Sequence, residues 1–158
     1  MPDNGTPGQK ASKTAASSNA SGAGPAPAAR AAPGAPTVLV VDDDDDIRAM
    51  LVRALGTKYT VYEARDGLEA REVIEGIPVP DAIVTDVMMP RLDGIAFAKL
   101  VRKEAALQRV PILFLTARGS PVDVITGINA GARHYVTKPF KIGDVLAKVA
   151  TMIRKQPP

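Results

Sequence analysis

At 158 residues the chain is long enough for one domain with a proper core, and its 20 basic and 17 acidic residues leave a formal charge of +3. Residues 1–36 supply much of that excess (Lys10, Lys13 and Arg30 against Asp3), and no basic stripe runs between the three Tyr and three Phe, so the composition speaks against nucleic acid as a partner. The lack of cysteine excludes a disulfide framework and thiolate-bound zinc; no apolar run nears the ~18 residues of a membrane span or forms a signal-peptide core, so the expected location is the cytoplasm, without membrane insertion.

In chain order, residues 1–36 hold 26 Ala, Pro, Gly or Ser and no aromatic, Val, Ile or Leu. Ordering such a backbone costs roughly 1–2 kcal/mol per residue with little apolar surface to bury in return, which predicts a disordered tail serving as a passive spacer. The domain is expected over 37–158. Thr37 to Val41 (TVLVV) reads as the first strand, and Ile47, Met50, Leu51, Ala54 and Leu55 as the buried stripe of the first helix. Tyr59 to Glu63 follows as an edge strand, then a helix carrying Ala70, Val73, Ile74 and Ile77. Ala82 to Asp86 is the third strand, followed by a helix with Phe97, Leu100 and Val101. Pro111 to Leu115 is the fourth strand. Ser120 to Ala130 is the fourth helix, expected to be the softest because Val, Ile, Thr, Gly and Asn fill its interior. His134 to Thr137 is the fifth strand, and Ile142, Val145, Leu146, Val149 and Ile153 mark the fifth helix. Apolar strands alternating with helices predict a doubly wound α/β fold built on a parallel sheet, with helices on both faces.

Ligands in such sheets sit beyond the carboxyl ends of the strands. That rim receives Asp42 and Asp43 after the first strand, Asp86 at the end of the third, Thr116 after the fourth and Lys138 after the fifth. Two carboxylates about 4 Å apart repel by roughly 4 kcal/mol at an effective dielectric near 20, so three together either protonate or recruit a cation. A water-accessible, all-oxygen site suits Mg²⁺, and an ammonium beside it can hold an incoming phosphate; the convergence points to phosphoryl transfer. The run of five aspartates divides at this boundary. Asp44, Asp45 and Asp46 precede the helix stripe and are expected to cap and start the first helix rather than bind metal. Lone His134 reads as a surface or packing residue, and Thr85 and Thr137 as filling of the strand-helix interface.

VLVVDD, DAIVTDVMMPRLDG, ILFLTA and YVTKPF, in this order and spacing, resemble the receiver domain of two-component response regulators over about residues 37–155. The resemblance implies a flavodoxin-like five-stranded sheet of order 2-1-3-4-5 with five helices. It implies that Asp86 is the phosphoacceptor, taking a phosphoryl group from the phosphohistidine of a histidine kinase or phosphotransfer protein. Asp42, Asp43, Asp86 and the backbone carbonyl of Met88 would hold Mg²⁺, with Mn²⁺ able to substitute. Thr116 and Lys138 would bind phosphoryl oxygens, and Tyr135 would be the aromatic that turns inward on activation. Pro90, Asp93 and Gly94 match the loop after the phosphoacceptor, with Asp93 placed to cap a helix, and the Lys138-Pro139 bond would be cis. Met88 and Arg118 would border the path of an attacking water. The fourth helix, fifth strand and fifth helix would form the face that engages a downstream protein, and a phosphorylation-linked dimer is left open.

Two other classes fit less well. In an aspartyl-nucleophile phosphatase pattern, Asp46 stands where Thr or Val is needed; in a calcium loop, Ile47 replaces the Gly and Arg53 the bidentate Glu. The expected protein is thus a signalling domain, not an enzyme in its own right, though it assists its own aspartyl phosphorylation and dephosphorylation. Lys155 to Pro158 reads as a frayed end, which favours a stand-alone receiver over a fragment of a longer regulator with an effector domain.

Overall fold

β-branched runs of five or six residues, apolar on both sides of the pleat, can satisfy themselves only between two helical layers, and that is the arrangement found. The computed structural model describes residues 24–117 and 134–155. Five parallel strands, β1 Thr37–Val41, β2 Thr60–Ala64, β3 Ala82–Asp86, β4 Ile112–Ala117 and β5 His134–Lys138, form one sheet in the order β2-β1-β3-β4-β5. Four helices are described: α1 Asp45–Leu55, α2 Gly67–Glu75, α3 Gly94–Lys103 and α4 Ile142–Arg154. The last of these is the helix counted fifth from the sequence; the expected fourth helix over Ser120 to Ala130, and Arg118, lie outside the described residues.

Pleating sorts the core. Val38, Val40, Val84, Leu113 and Leu115 point to the face covered by Leu51 and Leu55 of α1 and Val145, Val149 and Met152 of α4. Leu39, Val41, Ile83 and Phe114 point to the other, against Ala70 and Ile74 of α2 and Phe97, Ala98 and Val101 of α3. Strand bounds move by a residue or two from the sequence expectation: β2 begins at Thr60, and β4 and β5 each extend to Ala117 and Lys138, so Thr116 lies inside β4. Thr85 is fully buried, as expected, but Thr137 is exposed, on the side of β5 opposite Val136, which packs into the α1-α4 side of the core.

Residues 24–36, placed by composition in the tail, run along the body. The Ala28 and Ala29 amides donate to the carbonyl of Val61 (2.7 and 3.2 Å), the Val61 amide returns a bond to Ala29 (2.7 Å), and the Thr60 amide donates to Pro36 (2.9 Å). Ala29 also packs against the α1-α4 side of the core. The physical reason lies in β2, whose outer edge presents backbone groups that need partners, and the backbone of any residue can supply them. Deleting residues 1–35 should therefore speed exchange of the Val61 amide selectively and lower stability by about 1–2 kcal/mol; hydrogen exchange and thermal denaturation measure both, and an equally protected Val61 would contradict the pairing.

Candidate functional site

Parallel strands all deliver their carboxyl ends to one rim, and the register fixes which residues meet there. Val41 pairs with Thr85, Asp86 with Leu115, Thr116 with Thr137, and Ala117 with Lys138. Asp42 and Asp43, one step beyond β1, thus reach Asp86 at the end of β3: one carboxylate oxygen from each lies within 4.8 Å of the others. Lys138 reaches back across β4 to bridge two of them, with Nζ 3.2 Å from Asp42 Oδ2 and 3.3 Å from Asp86 Oδ2. Thr116 is buried beside the same rim, and the Lys138-Pro139 peptide is cis. Tyr135 on β5 is 38% exposed.

The acids are unequal. Asp42 is wholly buried and committed to protein partners: Oδ1 accepts from the Asp44 amide at 2.9 Å and Oδ2 from Lys138. Asp43 is exposed, which leaves its carboxylate open to solvent or a cation. Burial pushes the Asp42 carboxyl up, and the Asp44 amide and Lys138 offset this only in part. Burial, then the charge of Asp42, pushes Asp86 up to about 6, against the pull of Lys138. Burial works against the Lys138 charge, but the two carboxylates raise its pKa all the same. Among the described residues, three carboxylates facing one ammonium remain short of positive charge. A small, hard dication with oxygen ligands fits that deficit, and Asp43 and Asp86 are the carboxylates best placed to meet it.

The remaining aspartates of the run start α1. Asp44 is its N-cap, accepting from the amides of Asp46 (2.9 Å) and Ile47 (3.1 Å), while Asp45 and Asp46 occupy the first turn. Asp93 caps α3 through the Ala96 amide at 2.8 Å. Gly94 is required by close approach, since a Cβ there would run into the carbonyl oxygen of Asp86. Pro90 lies exposed in the loop between them, as does Met88.

Sequence reasoning missed two arginines. Arg48 on α1 donates to the Asp42 carbonyl (2.9 Å), to Glu63 on β2 (2.9 Å) and to Asp45 (2.7 Å), pinning the acidic loop from below. Its spacing of three from Asp45 on a helix was the available signal. Arg91 pairs with Asp66, the N-cap of α2, and burial of that carboxylate is outweighed by the Glu69 amide and the Arg91 guanidinium, which hold its pKa below the ordinary value. No local pattern links positions 25 residues apart.

The chain is similar to known proteins in sequence and in fold. Residues 38–150 match the family described as response regulator receiver domain. A response regulator MprA of Mycobacterium ulcerans (strain Agy99) is 44% identical over 119 residues, covering 75% of this chain and 50% of that protein. The chain thus spans about half the length of the curated relatives it matches. Among solved structures, the Francisella response regulator 1452 receiver domain aligns at a TM-score of 0.67 with 35% identity, over 76% of this chain and 98% of that one. Chemotaxis response regulator CheY4 of Vibrio cholerae aligns at 0.65 with 32% identity, over 75% and 98%.

The electrostatics set a pH signature. Asp86 titrates near its ordinary 3.8 when unfolded and at about 6 when folded, so the folded chain holds more protons between those values and stability falls as pH rises through that window. Replacing the charge by an amide in Asp86→Asn should stabilise the metal-free protein at pH 7 by on the order of 1–3 kcal/mol, the gain fading toward pH 4. Thermal denaturation in EDTA measures this, and equal midpoints at pH 7 would count against the buried charge.

Proposed function

The chain belongs to the response regulator receiver domain family, and from that premise we propose that it is the phosphoacceptor of a two-component phosphorelay, with Asp86 as the residue phosphorylated. The observation that carries the reading is the Lys138 ammonium lying between the buried carboxylates of Asp42 and Asp86 at the sheet rim. Members of this family act in signalling, and the site is built for a single stoichiometric transfer.

An Asp86 carboxylate oxygen attacks the phosphorus of a phosphohistidine on a histidine kinase or phosphotransfer protein. The new O–P bond forms as the N–P bond breaks, and the imidazole leaves with the electron pair. Lys138, already at the rim, keeps its charge on a phosphoryl oxygen, and the Thr116 hydroxyl donates to another. Asp43, Asp86 and the Met88 carbonyl would hold Mg²⁺, or Mn²⁺ in its place, with Asp42 acting directly or through water. Bound there, the dication neutralises the oxygens of the transferring group. Return of Asp86 to the free acid is hydrolysis of the acyl phosphate by water.

The groove of about 370 Å³ beside Lys138, walled by Ile47, Met50, Ala117, Pro139 and Phe140, gives the phosphodonor protein an apolar surface next to the chemistry. Output is read through the face carrying β5 and α4, where Tyr135 moves inward as Thr116 turns to the phosphoryl group. The receiver face takes a protein as its target, and the expected setting is the cytoplasm. Among the described residues no helix is long and apolar enough to cross a membrane.

Incubation with Mg²⁺ and acetyl phosphate should place one base-labile phosphate on the chain, located by mass spectrometry at Asp86. Asp86→Ala and EDTA should each abolish it, and Lys138→Ala should slow its formation at least about tenfold, since a charge-assisted contact to the reacting group is lost. Wild-type protein that stays unmodified while an active receiver reacts in parallel would overturn the proposal.

A further inference from the structure

The loop between β3 and α3 carries Met88. Its inner half is held by the Val87 amide, which donates to the Leu115 carbonyl on β4 (3.1 Å), and by the Gly94 amide, which donates to Val87 (3.0 Å), while Met89 and Leu92 pack against the core. The outer half, Arg91 and Leu92, is tied to a different element, the N-terminus of α2. There the Gly67 amide donates to the Leu92 carbonyl at 2.9 Å, and a Cβ on Gly67 would collide with that same oxygen. Beside it, Arg91 donates from both Nε (2.8 Å) and a terminal nitrogen (2.6 Å) to Asp66 Oδ2. Arg91 does so at φ 68°, in the left-handed region that L-residues with a side chain seldom occupy.

The two oxygens of Asp66 divide the work. Oδ1 accepts from the Glu69 amide and starts α2, while Oδ2 takes the guanidinium; the carboxylate is 8% exposed and the arginine 56%. One buried acid therefore joins a helix start to the metal-proximal loop, and a backbone conformation that favours glycine is held instead by an arginine whose side chain has a partner. We infer that Asp66 and Arg91 are a positioning pair for the loop that presents the Met88 carbonyl, and that they set the affinity of the site for a divalent cation. This rests on the proposed role of that carbonyl.

Two substitutions separate the latch from the fold. Arg91→Gly suits the positive φ and removes the guanidinium; Asp66→Asn retains an oxygen for the α2 cap and removes the charge. In metal-free protein, each should keep its thermal midpoint within about 5 °C of wild type while the Gly67 amide exchanges roughly tenfold faster. In calorimetric Mg²⁺ titrations each should raise the half-saturating concentration about tenfold, the double variant should be no weaker than the single ones, and Arg91→Lys should recover most of the loss. Variants with faster Gly67 exchange but unchanged Mg²⁺ affinity would overturn the inference, as would unchanged exchange. A wild-type chain without saturable Mg²⁺ binding would overturn the metal reading itself and the inference with it.

Discussion

Everything at the rim follows from one unfavourable arrangement: Asp42 and Asp86 are both buried, both beside Asp43, and among the described residues share a single ammonium. Carboxylates this close raise each other's pKa, and burial adds to the effect. The fold does not relieve the conflict. It limits it, through Lys138 on one side and through the Asp44 amide on the other, and leaves a deficit of positive charge facing solvent at Asp43. A site so poised gains most from a partner that brings positive charge, and the carboxylate it holds ready is the one proposed above as the phosphoacceptor.

Holding that arrangement in place takes the rest of the molecule. The β-branched strands are locked in register by side chains wedged between two helical layers, so the strand ends cannot slide relative to one another by even one residue without turning the core outward. The connections from strand to helix are then kept short by capping: Asp44, Asp66 and Asp93 each start a helix at the same rim. Those helix N-termini also direct partial positive charge toward the rim, which offsets part of the carboxylate charge gathered there. Close backbone approach at Gly94 brings α3 directly under Asp86.

Much of this was legible in the sequence because it depends on local pattern. TVLVV, AIVTD and ILFL could only be buried strands, and once their ends were set, the rim positions of Asp42, Asp43, Asp86 and Lys138 followed from topology. Division of the aspartate run was legible for the same reason, since Ile47, Met50 and Leu51 fix the helix phase. What escaped was non-local or compositional. Arg91 and Asp66 meet only because α2 and α3 pack side by side, which brings the loop before α3 to the start of α2, and the pairing of Ala28 and Ala29 with Val61 uses backbone groups alone, so a segment without large apolar side chains gave no sign of it. Thr137 was misplaced because alternation shows that it faces away from Val136 but not whether that face is covered.

The Ala28-Ala29 pairing leaves the sheet with two unlike margins. On the β2 side the chain's own backbone occupies part of the edge; on the β5 side, among the described residues, no further strand pairs. Strand-to-strand association with a second copy is therefore disfavoured along the part of β2 that Ala28 and Ala29 cover. A shortened version starting at Thr37 would uncover the Val61 backbone groups, adding the β2 margin to the surfaces on which a second copy could add a strand.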